Sequence, residues 1–443
     1  MGQGKNKKAV ILASVSILLS LGMWMLYTGF YQRFPFFSDR TVTVGVFSDS
    51  YWEVPNGYSY QILEDAIQAF EESHLGVRVE YVSGIMKEDY SEWLAGQLLS
   101  GQAPDLFFVL SEDFNDLAEV GALKDLAPLI EKDSGFEEGR FYSSAYRDGQ
   151  YRGIQYSLPF ECAPKLMFVN KSILAGEGLS IPEEDWNWEE FYEICRKVTR
   201  DTDGNGTVDQ FGVVGYGWEE AFESNGIQLF DQQGKECRLA DTKAEASLMF
   251  LERLWGLNQG YNATAKDFDL GNVAFQPMSF SEYRAYKPYP LSIKKYSSFE
   301  WGCIPMPSGP KGSNISALET LRIAMNAEAR HTGDAWELMK TLTCDERIQS
   351  EIFAYSEGMS VLKEVTESEK TLQQLIENSV DNRSLNLEIL SSAVEHAAVA
   401  PRFRNYDEAM AEVDKAVNDI LEGETNVRMG QIIWNRRINK FLE

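Results

Sequence analysis

The segment Tyr90–Val109, YSEWLAGQLLSGQAPDLFFV, decides the fold class of this chain. Its first part predicts a helix over about Asp89–Leu99 that ends at Gly101. After Pro104 comes DLFFVL (Asp105–Leu110), a short continuous apolar run typical of strands that are buried on both faces. A helix followed at once by such a strand indicates a parallel sheet covered by helices.

The neighbouring segments repeat this alternation of strand and helix. TVTVGVF (Thr41–Phe47) predicts the first strand, apolar residues at helical spacing predict a helix over about Tyr60–Ser73, and Val77–Val82 predicts the second strand. From about Asp334 onward the pattern is mainly helical, with helices predicted over Ala335–Leu342, Thr371–Ser379, Leu385–His396 and Glu408–Leu421. The alternation indicates an α/β fold, and the sequence contains no repeat or low-complexity linker that would separate domains in series.

The composition is that of a globular and strongly acidic protein. The 443 residues include 41 Lys and Arg against 68 Asp and Glu, a net charge of -27. Residues 1–40 hold five basic and one acidic residue, so the remainder carries 36 basic against 67 acidic residues, or -31. Because such a surface repels phosphate backbones, we expect no nucleic acid partner. The five cysteines are widely spaced without a CxxC pair, so buried thiols are expected, with one disulfide left open.

The amino terminus predicts a membrane anchor. Lys5, Lys7 and Lys8 precede an uncharged stretch whose most apolar part, Ala9–Tyr27, is nineteen residues long. As a helix it would span about 28 Å, close to the hydrocarbon thickness of a bilayer. The first cysteine is Cys162, which excludes a lipid-modified cysteine, and a cleaved signal peptide is the alternative. The basic tip predicts a single-pass protein of the cell membrane whose body lies on the extracytoplasmic side.

Three long phrases of the body occur in an order that is characteristic of a known family. They are Tyr90–Val109, FNDLAEVGALKDLAPLI (Phe114–Ile130) and YRGIQYSLPFECAPKLMFVNKSIL (Tyr151–Leu174). Shorter phrases follow them in order: DWNWEEF (Asp185–Phe191), AFQPM (Ala274–Met278) and WGCIPMPSGPKG (Trp301–Gly312). Together they resemble the extracellular solute-binding proteins of ABC importers, the family that includes maltose-binding protein.

The resemblance implies a two-lobed, periplasmic-binding-protein-like α/β fold of type II, with hinge strands that cross between the lobes. By position, lobe 1 should hold residues 41–159 and 318–360, and lobe 2 residues 160–317 and 361–443. Residues 1–40 should form a cytoplasmic basic tip, a transmembrane helix and a spacer. Ligand would be captured by hinge closure in the cleft where the carboxyl ends of the strands meet.

Sugar sites combine flat aromatic faces for pyranose rings with carboxylates or amides for the hydroxyl groups. Glu161 follows Pro159 in the crossing strand and matches a sugar-binding Glu of the maltose-binding relatives. The other candidates follow predicted strands, open a predicted strand in the case of Trp301, or lie near the second crossing: Trp52, Asp113, Trp218, Glu219, Phe280, Tyr283, Trp301 and Glu319. Helix capping is the alternative role for Asp113, and core packing is the alternative role for Trp301.

The segment DTDGNGTVDQFG (Asp201–Gly212) has the spacing of an EF-hand-type calcium loop. Its expected oxygen ligands are those of Asp201, Asp203, Asn205, the Thr207 carbonyl and Asp209. Position 12 is Gly212 instead of the bidentate Glu, and a turn that solvates itself is the alternative. Any bound Ca²⁺ would have a structural role.

The sequence contains no HExxH, GxSxG or GxxxxGK[ST] motif, so we expect no catalysis. The favoured function is capture of a sugar or oligosaccharide, by a monomer, for an ABC importer whose permease and ATPase are separate subunits. Two alternatives stay open. The chain could bind another solute, such as a peptide or polyamine, or it could be a sensory ectodomain that presents its ligand to a receptor.

Overall fold

The computed structural model describes residues 40–52, 58, 60–285, 299–378, 386–423 and 426–443. The predicted anchor, Ala9–Tyr27, lies outside these residues. Within the described ranges, no helix combines the length and the apolar character needed to cross a bilayer.

The described chain alternates strands and helices, as the sequence predicts. The strands are β1 Arg40–Gly45, β2 Val77–Val82, β3 Leu106–Val109, β4 Gln150–Tyr151, β5 Ile154–Gln155, β6 Ser157–Asn170, β7 Phe211–Val213, β8 Val273–Ser279, β9 Trp301–Ile304, β10 Leu318–Met325 and β11 Met359–Ser360.

The helices are α1 Gln61–Ser73, α2 Lys87–Ser100, α3 Ser111–Glu119, α4 Ala127–Lys132, α5 Ser143–Asp148, α6 Lys171–Gly176, α7 Trp188–Val198, α8 Trp218–Ser224, α9 Thr242–Trp255, α10 Ala265–Asp269, α11 Phe280–Ala285, α12 Thr332–Cys344, α13 Glu346–Tyr355, α14 Lys363–Thr366, α15 Glu369–Asn378, α16 Leu387–Glu395, α17 Tyr406–Glu422 and α18 Val427–Leu442. Two 3₁₀ turns, Glu138–Arg140 and Gly256–Asn258, accompany them.

One mixed sheet joins the two domains of this α/β fold. Its strand order is β2-β1-β3-β10-β6-β8-β7, and β9 and β11 also pair with β6. Strands β1, β2 and β3 are parallel, and all four residues of β3 are buried, which confirms the strand predicted after Pro104. We call the domain around β1–β3 lobe 1 and the domain around β7–β9 lobe 2.

The 14-residue strand β6 belongs to both lobes. Residues 157–164 pair with β10 on the lobe 1 side, and residues 165–169 pair with β8 on the lobe 2 side. Only Lys165 of this strand is more than slightly exposed, because helices cover both faces. This strand is therefore one of the crossing segments between the lobes.

Two more chain segments cross beside β6, and backbone hydrogen bonds join all three. The Lys165 N–H donates to the Ala317 carbonyl over 3.2 Å, and the Ala398 N–H donates to the Ser316 carbonyl over 2.9 Å. The Ser316 hydroxyl donates to the Lys165 carbonyl over 2.5 Å. The hinge is thus a narrow three-segment band.

The segment between β11 and the third crossing packs on lobe 1. Leu362, Leu390 and Val394 are buried in the same hydrophobic core as β1 and β3, and the Ser143 N–H of α5 donates to the Glu395 carboxylate over 2.9 Å. A second core lies under α7, α8, α9, α17 and α18. The predicted lobe ranges remain a prediction, but this packing favours a final boundary near residue 396 over residue 360.

All five cysteines lie within the described residues and are free thiols. Four are buried, and Cys344 is half-buried. The expectation of buried thiols is confirmed, and the disulfide that the sequence left open does not form in this structure.

Candidate functional site

The lobe 1 wall of the cleft begins where β1 ends. Tyr51 and Trp52 follow this strand, with ring centroids 4.7 Å apart in an edge-to-face arrangement. The Tyr51 hydroxyl lies 2.9 Å from the Ser111 hydroxyl at the start of α3 and 3.4 Å from the Thr320 carbonyl. Burial raises the pKa of Tyr51 to about 12, so the phenol stays neutral and keeps its proton.

Glu161, the candidate in the crossing strand, lies at the bottom of this wall and is only 4% exposed. The Ser356 hydroxyl donates to its carboxylate over 2.5 Å, and the Trp52 indole N–H lies beside it. Burial raises the pKa of Glu161 to about 7, although Ser356, Trp52 and Arg284 each lower it. Near neutral pH, the folded protein therefore contains both the protonated and the ionised form of Glu161.

Gly358 allows this close arrangement. A methyl group on its α-carbon would lie 2.6 Å from a Glu161 carboxylate oxygen and 2.7 Å from the Trp52 indole nitrogen. Any side chain at this position would push the two candidates apart. A cavity of about 60 Å³ opens between Tyr51, Glu161 and Tyr355, far below the roughly 300–1,000 Å³ of ligand pockets.

Arg284 of α11 connects the two lobes next to Glu161. Its guanidinium donates to the carbonyls of Ser356 and Gly358 over 2.7 and 2.6 Å, and to that of Phe353 over 2.7 Å. These carbonyls lie at and just beyond the end of α13, where backbone acceptors have no helical partner. A basic residue from the lobe 2 strand–helix unit therefore caps a lobe 1 helix.

A buried charge cluster lies on the other face of β10. The Asp148 carboxylate forms ion pairs with Arg322, over 2.5 Å, and with Arg402. The Phe114 ring lies 5.0 Å from one guanidinium and 5.5 Å from the other. Burial alone would raise the pKa of Asp148, but the two cations reverse this and lower it. Since Arg402 follows the third crossing, the cluster attaches that crossing to lobe 1.

The lobe 2 wall has the opposite charge balance. The Lys165 ammonium lies 2.8 Å from the buried Glu220 carboxylate, and Glu219 and Glu223 of the same helix also raise its pKa against the effect of burial. Burial raises the pKa of Glu223 to about 8, and its two glutamate neighbours add to this while Lys165 opposes it. One cation thus faces three carboxylates.

The remaining predicted site residues fall into three groups. Glu219 and Glu319 are exposed, on the lobe 2 and lobe 1 sides of the hinge. Trp218, Phe280 and Trp301 are buried: Trp218 donates its indole N–H to Asp414 over 3.2 Å, and Trp301 packs 5.4 Å from Phe168. Tyr283 lies on α11, and its side chain is outside the described part of the molecule. Burial favours packing for these three rings, and ligand contact stays a prediction.

Asp113 lies in the first turn of α3, but it does not cap the helix. Its carboxylate accepts a hydrogen bond from the Ser91 hydroxyl over 2.6 Å, and the capping position is Leu110, which has no side-chain hydrogen bond. Burial raises the pKa of Asp113. The capping alternative is therefore not what the structure shows, and the ligand role remains a prediction.

The predicted calcium loop brings its carboxylates together. One oxygen each of Asp201, Asp203 and Asp209 lies within 4.8 Å of the others. The same groups accept local hydrogen bonds: Asp201 from the Gly206 N–H over 2.6 Å and Asp209 from the Thr202 N–H over 2.8 Å. This geometry fits both a hard cation with oxygen ligands and a turn that solvates itself, so calcium remains a prediction.

Sequence reasoning missed Asp148, Lys165, Glu223, Arg284 and Arg402. A signal existed for Glu223, because it lies four residues after Glu219 and therefore on the same helix face. Asp148 and Arg402 are 254 residues apart, and no local pattern connects them.

Comparisons with known proteins agree with this architecture. The sequence model of the bacterial extracellular solute-binding proteins matches residues 55–346. The chain is 23% identical over 349 residues to the maltotriose-binding protein of Pyrococcus abyssi, covering 76% of this chain and 70% of that protein. It is also 26% identical over 140 residues to an uncharacterized lipoprotein of Streptomyces antibioticus, a match that spans 31% of this chain and only 30% of that protein.

Among solved structures, the cyclic α-maltosyl-1,6-maltose binding protein from Arthrobacter globiformis superimposes with a TM-score of 0.73. The sequences are 16% identical, and the superposition covers 91% of this chain and 98% of that one. At this identity the likeness establishes the fold.

Proposed function

Because the chain belongs to the bacterial extracellular solute-binding proteins, we propose that it captures a saccharide in its cleft and delivers it to an ABC importer. The observation that carries the proposal is the narrow hinge of three hydrogen-bonded segments between two α/β lobes. Such a hinge permits closure around a solute. The relatives named for maltotriose and for cyclic maltosyl-maltose support a saccharide as the solute.

The polar groups of the cleft suit hydroxyl recognition. The neutral Tyr51 phenol can donate or accept, and the exposed carboxylates of Glu219 and Glu319 can accept from sugar hydroxyls on the two sides of the hinge. Closure would remove water from these groups, so each hydroxyl must then find a partner. The half-buried Tyr51 ring supplies aromatic surface on the lobe 1 wall, and the buried Trp52 ring supports it from below in an edge-to-face contact.

We also propose where the chain is located and which partners it has. The uncharged stretch Ala9–Tyr27 would anchor the chain as a single-pass helix, with its body on the extracytoplasmic side. The permease and ATPase would be separate subunits, because the sequence holds no Walker motif. A loaded, closed cleft would be the form that the permease recognises.

A thermal-shift screen of the full chain tests the ligand assignment. A solute that binds only the folded state raises the melting temperature, so malto-oligosaccharides, cyclic glucans, amino acids and polyamines are compared at equal concentration. We expect a saccharide to give the largest shift. Glu219→Gln should reduce that shift, whereas the matched control Glu184→Gln, also exposed, should not. Stabilisation by amino acids alone would overturn the assignment.

One observation favours a second candidate, a cationic solute such as a polyamine or an amino sugar. The lobe 2 wall sets Lys165 against Glu219, Glu220 and Glu223, which leaves negative charge unbalanced by protein cations. In the same screen, this candidate predicts that spermidine or glucosamine shifts the melting temperature more than neutral glucans do, and that 0.5 M salt abolishes the shift.

A further inference from the structure

The last helix, α18, carries an outward stripe that the solute-binding function does not use. Met429, Ile433, Arg436 and Lys440 are spaced by four, three and four residues, so they lie on one face of the helix. All four are exposed, Met429 and Ile433 at 56% each. We call these four residues the α18 stripe.

The charge of α18 is opposite to that of the rest of the chain. Val427–Leu442 contains four basic residues and no acidic one, in a protein of net charge -27. Arg428 pairs with Glu245 over 3.0 Å, and Arg437 lies 3.9 Å from Glu412. In the described part of the chain, no acidic side chain pairs with Arg436 or Lys440, so the stripe keeps its positive charge.

The opposite face of α18 is fixed to lobe 2, so the stripe cannot turn inward. Trp434 and Ile438 are buried in the second core. Gln431 donates to the Leu239 carbonyl over 2.7 Å, and the Asn435 and Asn439 side chains accept from backbone N–H groups of the same loop over 3.1 and 2.9 Å. The stripe is therefore a rigid surface feature.

We propose that the α18 stripe binds an anionic lipid surface and holds lobe 2 against it. Charge complementarity supports this occupant, since two unpaired cations match anionic headgroups that the remaining acidic surface repels. Within the described ranges, no hydrogen bond holds the long side chains of the stripe, so they can adapt to a fluid surface. Met429 and Ile433 add shallow apolar contact. The predicted anchor would keep the bilayer near, so a weak contact suffices.

Hydroxyl-radical footprinting of the full chain on vesicles tests the proposal. The chain is either reconstituted into vesicles or mixed with an excess of them. One vesicle type contains phosphatidylcholine alone, and the other contains equal parts of phosphatidylcholine and phosphatidylglycerol. We expect the oxidation rate of Met429 to fall at least threefold on the anionic vesicles only. Met86 in lobe 1, which is 44% exposed, provides the internal reference and should not change.

Two charge-reversal variants of equal net charge separate the stripe from general electrostatics. Arg436→Glu with Lys440→Glu should abolish the protection of Met429. Lys197→Glu with Lys266→Glu, at exposed positions elsewhere on lobe 2, should retain it. Unchanged circular dichroism melting curves establish that both variants fold.

Three results would overturn the lipid assignment. Equal Met429 oxidation on both vesicle types would exclude recognition of anionic lipid. Protection that rises with protein concentration in detergent would indicate a second copy of the chain as the occupant. Protection that appears only when purified permease is added would indicate a protein partner.

Discussion

On the lobe 1 side of the hinge, the Asp148 carboxylate lies between two guanidinium groups, whereas on the lobe 2 side the Lys165 ammonium faces three glutamates. The first cluster is buried, the second is only partly buried because Glu219 is exposed, and both lie beside a crossing segment. The first has an excess cation and the second has excess anions. Protonation of Glu223, which has a pKa of about 8, can reduce the negative charge of the second cluster. The positive charge of the first cluster cannot be reduced in this way, because arginine does not release its proton near neutral pH.

The two clusters therefore differ in whether their charge is fixed or depends on pH. The Asp148 cluster keeps the same ionisation at every physiological pH and attaches the third crossing to lobe 1. The Lys165 cluster changes its charge near neutral pH, on the wall that would face the solute. We therefore expect substitutions at Asp148 to affect stability at all pH values, and substitutions at Glu223 to change how stability depends on pH.

The largest expected effect is that of Asp148→Ala. It leaves Arg322 and Arg402 buried without a counter-ion, and removing one partner of a buried ion pair destabilises a protein by about 3–5 kcal/mol. Chemical denaturation at pH 7 measures this loss. The exposed Asp185→Ala is the control, and its effect should stay within about 0.5 kcal/mol. If the two variants unfold alike, the cluster does not stabilise the hinge.

The next effect is a pH dependence. The folded-state pKa of Glu223, about 8, lies above its ordinary value of 4.5, so the folded protein binds this proton more tightly than the unfolded chain. That stability is fully present below about pH 4.5 and is lost as the pH rises through about 8. Between pH 6 and 9 the wild type should lose roughly 2 kcal/mol more than Glu223→Gln.

Denaturation midpoints measured across that range test this difference. Glu161, with a pKa of about 7, contributes with the same sign in both proteins, so the comparison cancels it. The control Glu184→Gln should follow the wild type. Parallel curves for wild type and Glu223→Gln would mean that Glu223 binds no proton near neutral pH.

A smaller effect is expected for Arg402→Met. This variant leaves Asp148 with a single cation, Arg322, so the remaining pair is neutral. The loss should be about 1.5 kcal/mol, the lower end for a hydrogen bond to a charged group, and well below that of Asp148→Ala. Equal losses for the two variants would refute the argument from charge balance.

The smallest effect concerns a third carboxylate cluster, that of Asp201, Asp203 and Asp209, which is far more solvated than the other two. If Ca²⁺ rather than a proton relieves its repulsion, free Ca²⁺ at ten times its dissociation constant should add about 1.4 kcal/mol to stability. Calorimetric titration of chelator-treated protein measures binding directly. Asp203→Asn should weaken it, and no heat at millimolar Ca²⁺ would exclude the site.

The strands of lobe 1 could be predicted from the sequence because their apolar runs report burial directly. Val77–Val82 has the predicted bounds, and the strand predicted over Asp105–Leu110 is observed over Leu106–Val109. Helix α18 was not predicted as an element, because two of its four buried residues, Gly430 and Gln431, are not large apolar side chains. Hydrogen bonds of its side-chain amides hold the helix in place instead, and such residues produce no periodic pattern of apolar positions in the sequence.

The site was less predictable than the fold. Rules based on strand ends lead to Trp52 and Glu219, which lie near the hinge, although the Trp52 ring is buried. The same rules selected Phe280, whose ring is buried, because a position after a strand does not determine on which face a side chain lies. Arg402 could not be found at all, since its partner is 254 residues away.

The position of β10 between β3 and β6 also bears on how the chain is made. β3 ends at Val109, and its neighbour begins at Leu318, so about 200 residues separate two adjacent strands. At a synthesis rate of about 5–20 residues per second, β10 is made roughly 10–40 s after β3. The edge of β3 that pairs with β10 stays open for that time, so the lobe 1 sheet cannot be completed until Met325 has been synthesised.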